Sequence, residues 1–104
     1  EPGPPAILTD KGILLIYNSK NSGVFGDPSL APKTYAGGQA LFDKNDPSKL
    51  INRLDSNFFQ PDKPYEIEGQ INHVCFLEGL VHFKDKWFLY YGTADSKIAV
   101  AVKD

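Results

Sequence analysis

No stretch of this 104-residue chain repeats its apolar residues at helical spacing, whereas six stretches carry a strand pattern. Residues 12–17 (GILLIY) form a near-continuous apolar run rich in β-formers, as expected of a strand covered on both faces. Residues 38–43 (GQALFD) alternate, and 49–54 (KLINRL) do so more weakly. Residues 73–83 (HVCFLEGLVHF) are interrupted by Gly79, which allows two strands or one strand with a bulge. Residues 86–91 (KWFLYY) and 96–102 (SKIAVAV) complete the set. Loops dense in Gly, Pro, Asn, Asp and Ser separate them, so the chain is expected to be all-β and antiparallel. The KDKW segment reads as a tight hairpin joining 73–83 to 86–91. DPSKL is expected to form one helical turn, with Asp46 capping and Pro47 in first position.

A faint echo constrains the architecture further. DKGILLIYN (10–18) aligns with KDKWFLYYG (84–92), each a turn followed by a strand that ends in tyrosine. After each comes a loop of small or polar residues and an alanine-containing alternating strand, GGQALF or SKIAVA. Recurrent strand units of this kind suggest propeller blades, about two of them, with approximate limits at 1–60 and 61–104. Two blades alone leave an unclosed ring and exposed edges, which remaining blades or another chain would have to cover. The rigid EPGPP opening and the AVAVKD end, running straight out of a strand, suggest the C-terminal part of a longer protein.

The bulk numbers exclude some partners. A net charge of −2 gives no broad positive field, so neither nucleic acid nor an anionic membrane surface has electrostatic support. No apolar run approaches the roughly 20 residues of a membrane span. The compartment, whether periplasmic, secreted or cytoplasmic, stays open. The single cysteine, Cys75, sits among apolar neighbours and reads as a buried, inert thiol.

Taken as a set and in order, GPPAILTDKGILLIYNS, GGQALFDKNDPSKLINR, YEIEG and HVCFLEGLVHFKDKWFLYYGTADSKIAVAV resemble the C-terminal third of glycoside hydrolase family 130. That resemblance implies part of a five-bladed β-propeller enzyme acting on β-mannosides, by hydrolysis or by phosphorolysis, with no cofactor. It implies that Asp95, in the YYG-small-AD motif, binds the mannose ring. It also implies that the catalytic acid and the main basic phosphate ligands lie in earlier blades. Phosphorylase members usually carry histidine where this chain has Asn18, which tilts the reading modestly toward hydrolysis. His73 stands where members usually have asparagine, and Glu78 where phosphorylases have a small or neutral residue.

The chemistry of each residue bears on these expectations. A carboxylate at Asp95 could accept hydrogen bonds from neighbouring sugar hydroxyls, with Gly92, Thr93 and Ala94 leaving room for the ring. The alternative is that Asp95 accepts backbone N–H bonds within its own turn. Tyr91 beside it would supply a stacking face or a hydroxyl. Glu78, inside an apolar stretch, would be paired or raised in pKa and so suited to acid–base catalysis, unless it faces outward. Glu78 and Asp95 are the pair to test for inverting hydrolysis, in which water sits between two carboxyl groups. His73 could hydrogen-bond a substrate, His82 reads as a surface residue, and Asn18 could bind a sugar or stabilise its own turn. No metal site is expected, because neither histidine has partners at ligand spacing. Lys20, Lys33, Arg53 and Lys97 read as solvated surface charges rather than converging phosphate ligands.

Overall fold

The computed structural model describes all 104 residues. Seven strands form two antiparallel sheets, one of four strands in the order β1-β2-β3-β4 and one of three in the order β5-β6-β7. The first contains β1 (Ile7–Thr9), β2 (Gly12–Lys20), β3 (Tyr35–Phe42) and β4 (Leu50–Arg53). The second contains β5 (Cys75–Phe83), β6 (Lys86–Thr93) and β7 (Lys97–Lys103). Every strand anticipated from the pattern is present. β1 was not anticipated: its three residues follow directly on the proline-rich opening and are too few to show an alternation.

Local chemistry explains the connections. Lys84 and Asp85, both at positive φ (50° and 65°), close the two-residue hairpin between Phe83 and Lys86. That backbone matches the right-handed twist of the strands it joins. The 73–83 stretch is one strand with a bulge: Leu77 pairs with Tyr91 and Gly79 with Tyr90, leaving Glu78 as the extra residue. DPSKL corrects the expected helical turn. It is a non-helical turn in which Asp46 Oδ1 accepts from the Ser48 N–H (3.2 Å) and hydroxyl (2.6 Å). The one helix, α1 (Pro64–Ile67), lies in a segment whose composition reads as loop, and four residues are too few to display a period.

The core lies between the sheets. Ile16 of β2 packs with Cys75, Leu77, Leu89 and Tyr91, flanked by Phe59, Leu80, Ala99 and Ala101. Close approach is enforced at Gly37, where a β-carbon would collide with the Leu77 side chain. Beside it, the buried Asn18 amide bridges the sheets: its Oδ1 accepts the Leu77 N–H (2.6 Å) and its Nδ2 donates to the Leu77 carbonyl (3.0 Å). The core is small for the chain length, with 17 of 104 residues buried, because each sheet keeps apolar residues on its outer face. On the second sheet, Tyr90 pairs with Val100 and Phe88 with Val102, and Tyr90, Val100 and Val102 are all exposed.

Candidate functional site

The ends of five strands converge on one open cleft of about 1070 Å³. β2 contributes Lys20, β3 contributes Tyr35 and β5 contributes Phe76 and the bulged Glu78. The β6–β7 connection contributes Asp95 and Ser96, with Gly92 and Lys97 on either side. The volume is at the upper end of what small-molecule sites enclose, enough for more than one sugar ring.

Asp95 is held rigidly although its side chain is free. Ala94 and Asp95 both have positive φ (47° and 51°), and the Ser96 N–H donates to the Thr93 carbonyl (2.9 Å) to close the turn. The buried Ala94 fixes this turn to the neighbouring chain: its N–H donates to the Val74 carbonyl (3.0 Å) and its carbonyl accepts from the Ile71 N–H (3.0 Å). Aspartate tolerates the left-handed region better than most residues, but it still costs about 1 kcal/mol. The local alternative for Asp95 is absent, since no N–H of the turn donates to its carboxylate. The carboxylate is solvent-exposed and opens into the cleft.

Glu78 reaches the same cleft because the bulge places it there. Of the two sequence readings the outward-facing one holds: Glu78 is exposed to solvent, not enclosed among the apolar side chains on either side of it. The neighbouring Leu77 and Gly79 both pair with β6, and the intervening residue is displaced outward. Lys20 and Lys97 are exposed, as expected of solvated surface charges, and both also line the cleft. The cleft lining therefore includes two carboxylates and two ammonium groups and carries no net formal charge. Aromatic surface comes from Tyr35 and Phe76, whose ring centroids lie 5.9 Å apart. The Lys20 ammonium also lies 5.9 Å from the Tyr35 ring centroid.

Three expected ligands are placed elsewhere. Tyr91 does not flank the cleft: it is buried in the core, stands edge-on to Phe59 at 4.7 Å, and donates its hydroxyl to Glu66 Oε2. Burial raises its pKa, and the hydrogen bond to the Glu66 carboxylate raises it further. Asn18 is buried, and its amide is committed to Leu77 across the sheets rather than to a ligand or its own turn. His73 is half-buried at φ 58°, with its N–H donating to the Ile67 carbonyl (2.9 Å) and its carbonyl accepting from Tyr35 (3.0 Å). It is not among the residues lining the cleft. His82 stacks against Trp87 at 4.6 Å, and no three His, Cys, Asp or Glu side chains come together as a metal site would need.

Glu66 is the buried carboxylate that the sequence reading missed. Burial pushes its pKa up, but the Lys63 N–H, the Tyr91 hydroxyl and the Asp62 N–H outweigh this and hold it below the usual glutamate value. The backbone donors lie 2.9 Å and 2.8 Å from Oε1. With every oxygen engaged, Glu66 anchors α1 to β6. Beside it, burial and the Glu66 charge push the Cys75 thiol up to about 12, as befits an inert cysteine.

The sequence and fold have known counterparts. The family model for beta-1,4-mannooligosaccharide phosphorylase, glycoside hydrolase family 130, matches residues 1–104. The chain belongs to glycoside hydrolase family 130. It is 38% identical over 100 residues to a beta-1,2-mannobiose phosphorylase of Thermoanaerobacter sp. (strain X514), covering 96% of this chain and 30% of the relative. A glycosyl hydrolase from Bacteroides ovatus superposes with a TM-score of 0.96 at 56% identity, over 100% of this chain and 29% of that one. A second structure superposes with a TM-score of 0.97 at 53% identity, again over 100% of this chain and 29% of that one. It is described under the finding that this family of mannoside phosphorylases contains glycoside hydrolases targeting beta-1,2 mannosidic linkages in Candida mannan. Within family 130, the two sheets are part of a β-propeller, and the chain spans less than a third of the length of these relatives.

Proposed function

We propose that this chain is the C-terminal part of an inverting β-mannoside hydrolase, its two sheets forming blades at about 1–60 and 61–104. The remaining blades, outside these residues, complete the ring and carry the main catalytic acid. The observation that carries the reading is Asp95: a rigidly held carboxylate, free of internal hydrogen bonds, at the edge of a cleft large enough for a sugar. Its two oxygens accept hydrogen bonds from adjacent hydroxyls of the mannose ring. Tyr35 and Phe76 offer the apolar face of the ring an aromatic surface in place of Tyr91.

Glu78 is the carboxylate of this chain available to act as base on the attacking water. That water displaces the leaving sugar in one step, while the acid from another blade protonates the glycosidic oxygen, directly or through a sugar hydroxyl. Hydrolysis is favoured over phosphorolysis by the higher identity to the structures described as hydrolases than to the phosphorylase, and no longer by Asn18, whose amide is committed to Leu77 away from the cleft. The β-1,2 linkage is favoured by the relatives, one a beta-1,2-mannobiose phosphorylase and another from the work on family members that target beta-1,2 mannosidic linkages.

The test uses the full-length enzyme and β-1,2-mannobiose. Asp95→Ala should lower kcat/KM at least about a hundredfold, the loss expected when a charged hydrogen-bond acceptor leaves the reacting sugar. It should lower stability by no more than about 1 kcal/mol, because alanine suits the left-handed backbone less well than aspartate. Glu78→Gln should lower kcat more than it changes KM. Full activity in Asp95→Ala would remove the basis of the reading.

A further inference from the structure

The connection between β2 and β3 is a structured loop whose tip is an exposed aromatic. Asn21 organises it: Nδ2 donates to the carbonyls of Asp27 (3.1 Å), Leu30 (3.3 Å) and Ala31 (3.1 Å), and Oδ1 accepts the Asp27 N–H (2.7 Å). Main-chain bonds from Asn21 to the Thr34 carbonyl (2.7 Å) and from Lys33 to the Asn21 carbonyl (2.9 Å) close its base. Gly26 lets the loop fold over this residue, since a β-carbon there would strike Asn21 Oδ1 and the Ser22 main chain. At the tip, Ser22 Oγ accepts the N–H groups of Val24 (3.1 Å) and Phe25 (3.0 Å). The Phe25 side chain gains nothing from this order, being 94% exposed, more than any other large apolar residue of the chain.

Its position gives the exposure a use. The loop leaves Lys20 and returns at Tyr35, both of which line the cleft. In the sequence echo it occupies the same place, between the second and third strands of a unit, as the turn that carries Asp95. A second depression of about 580 Å³ lies along the loop, lined by Phe25, Asp55, Ser56 and Asn57, and shares Lys20 with the cleft. The Asp55 carboxylate and Ser56 hydroxyl make no hydrogen bond within the chain, and the lining is otherwise mostly polar. An exposed ring beside unengaged hydroxyl and carboxylate groups matches a pyranose, which has one apolar face and a rim of hydroxyls.

We infer that this depression is a further sugar subsite, in which Phe25 stacks on a mannose unit beyond those held in the cleft. The inference rests on the mannoside reading of the cleft and adds a preference for longer chains. Phe25 is a specificity residue and touches no reacting atom. Stiffening of the loop by Asn21 lowers the ordering cost of binding, so the ring is presented ready to stack.

The experiment measures calorimetric affinity of the full-length protein for sulfur-linked β-1,2-mannobiose and mannotetraose, which cannot be hydrolysed. Wild type should bind the tetraose on the order of tenfold more tightly than the biose, the equivalent of about 1.4 kcal/mol. Phe25→Ala should abolish that difference without changing biose affinity, and Phe25→Trp should restore it. Equal affinity of wild type for the two ligands, or equal losses for both in Phe25→Ala, overturns the subsite. Phe25-dependent binding of the tetraose without turnover of any oxygen-linked mannoside would keep the subsite and remove the hydrolase reading instead.

Discussion

Asp95 and Asn18 were both polar residues at strand ends in the sequence, and the fold gives them opposite tasks. Asp95 is fixed by its neighbours and left free, whereas Asn18 is consumed by the main chain of Leu77. Replacing Asn18 by alanine strands a buried N–H and carbonyl, and we expect a loss of about 2–3 kcal/mol of stability by urea unfolding of the full-length protein. Glu66 gives a pH signature. Its folded pKa lies below its unfolded value, so its stabilisation is complete above the ordinary glutamate range and is lost as the pH falls through the folded value. Tm should therefore start to drop as the pH falls below the ordinary glutamate value of about 4.3 and go on dropping until the lowered folded value is passed, and Glu66→Gln should flatten that part of the profile. An unchanged profile in Glu66→Gln would separate Glu66 from the acid response. The pattern placed Asp95 at a strand end, but its proposed sugar role came from the family resemblance, because the residues alone allowed a turn carboxylate equally. The burial of Tyr91 was not legible, because Tyr90 and Tyr91 point to opposite faces and both faces of the second sheet are apolar, so alternation does not reveal which is buried.

At the scale of the element, strands and turns were legible wherever composition and periodicity agreed. The hairpin at Lys84 and Asp85 was visible from its length alone, although neither residue prefers the positive φ it adopts. Lys84→Asn with Asp85→Gly should therefore stabilise the protein by about 0.5–1 kcal/mol in thermal unfolding, since Asn-Gly suits both positions. A lower Tm would mean that Lys84 or Asp85 makes a contact outside this chain. The bulge at Glu78 was one of two options left by Gly79, and only the pairing of both neighbours with β6 decides it. β1 and α1 were illegible for one reason: elements of three and four residues are shorter than the window in which a period can be seen. That Lys20 and Lys97 line one cleft was not legible, because they are 77 positions apart in sequence and lie on different sheets.

For the whole molecule, the resemblance carried more than the pattern did. Alternation established two antiparallel units, but it said nothing about where their ends meet. The cleft forms there because the β2–β3 and β6–β7 connections emerge on the same side of the stack. The apolar outer faces and the small core suit sheets stacked between further sheets, so residues 1–104 alone should show no turnover of a β-mannoside and should self-associate in sedimentation. Turnover by these residues alone would contradict the assignment of the acid to another blade. The central claim is that water, not phosphate, attacks the mannoside held by Asp95. The most direct measurement is product analysis of the full-length enzyme on β-1,2-mannobiose with and without inorganic phosphate. The account predicts mannose as the sole product at a rate independent of phosphate; mannose 1-phosphate, formed only when phosphate is present, would contradict it.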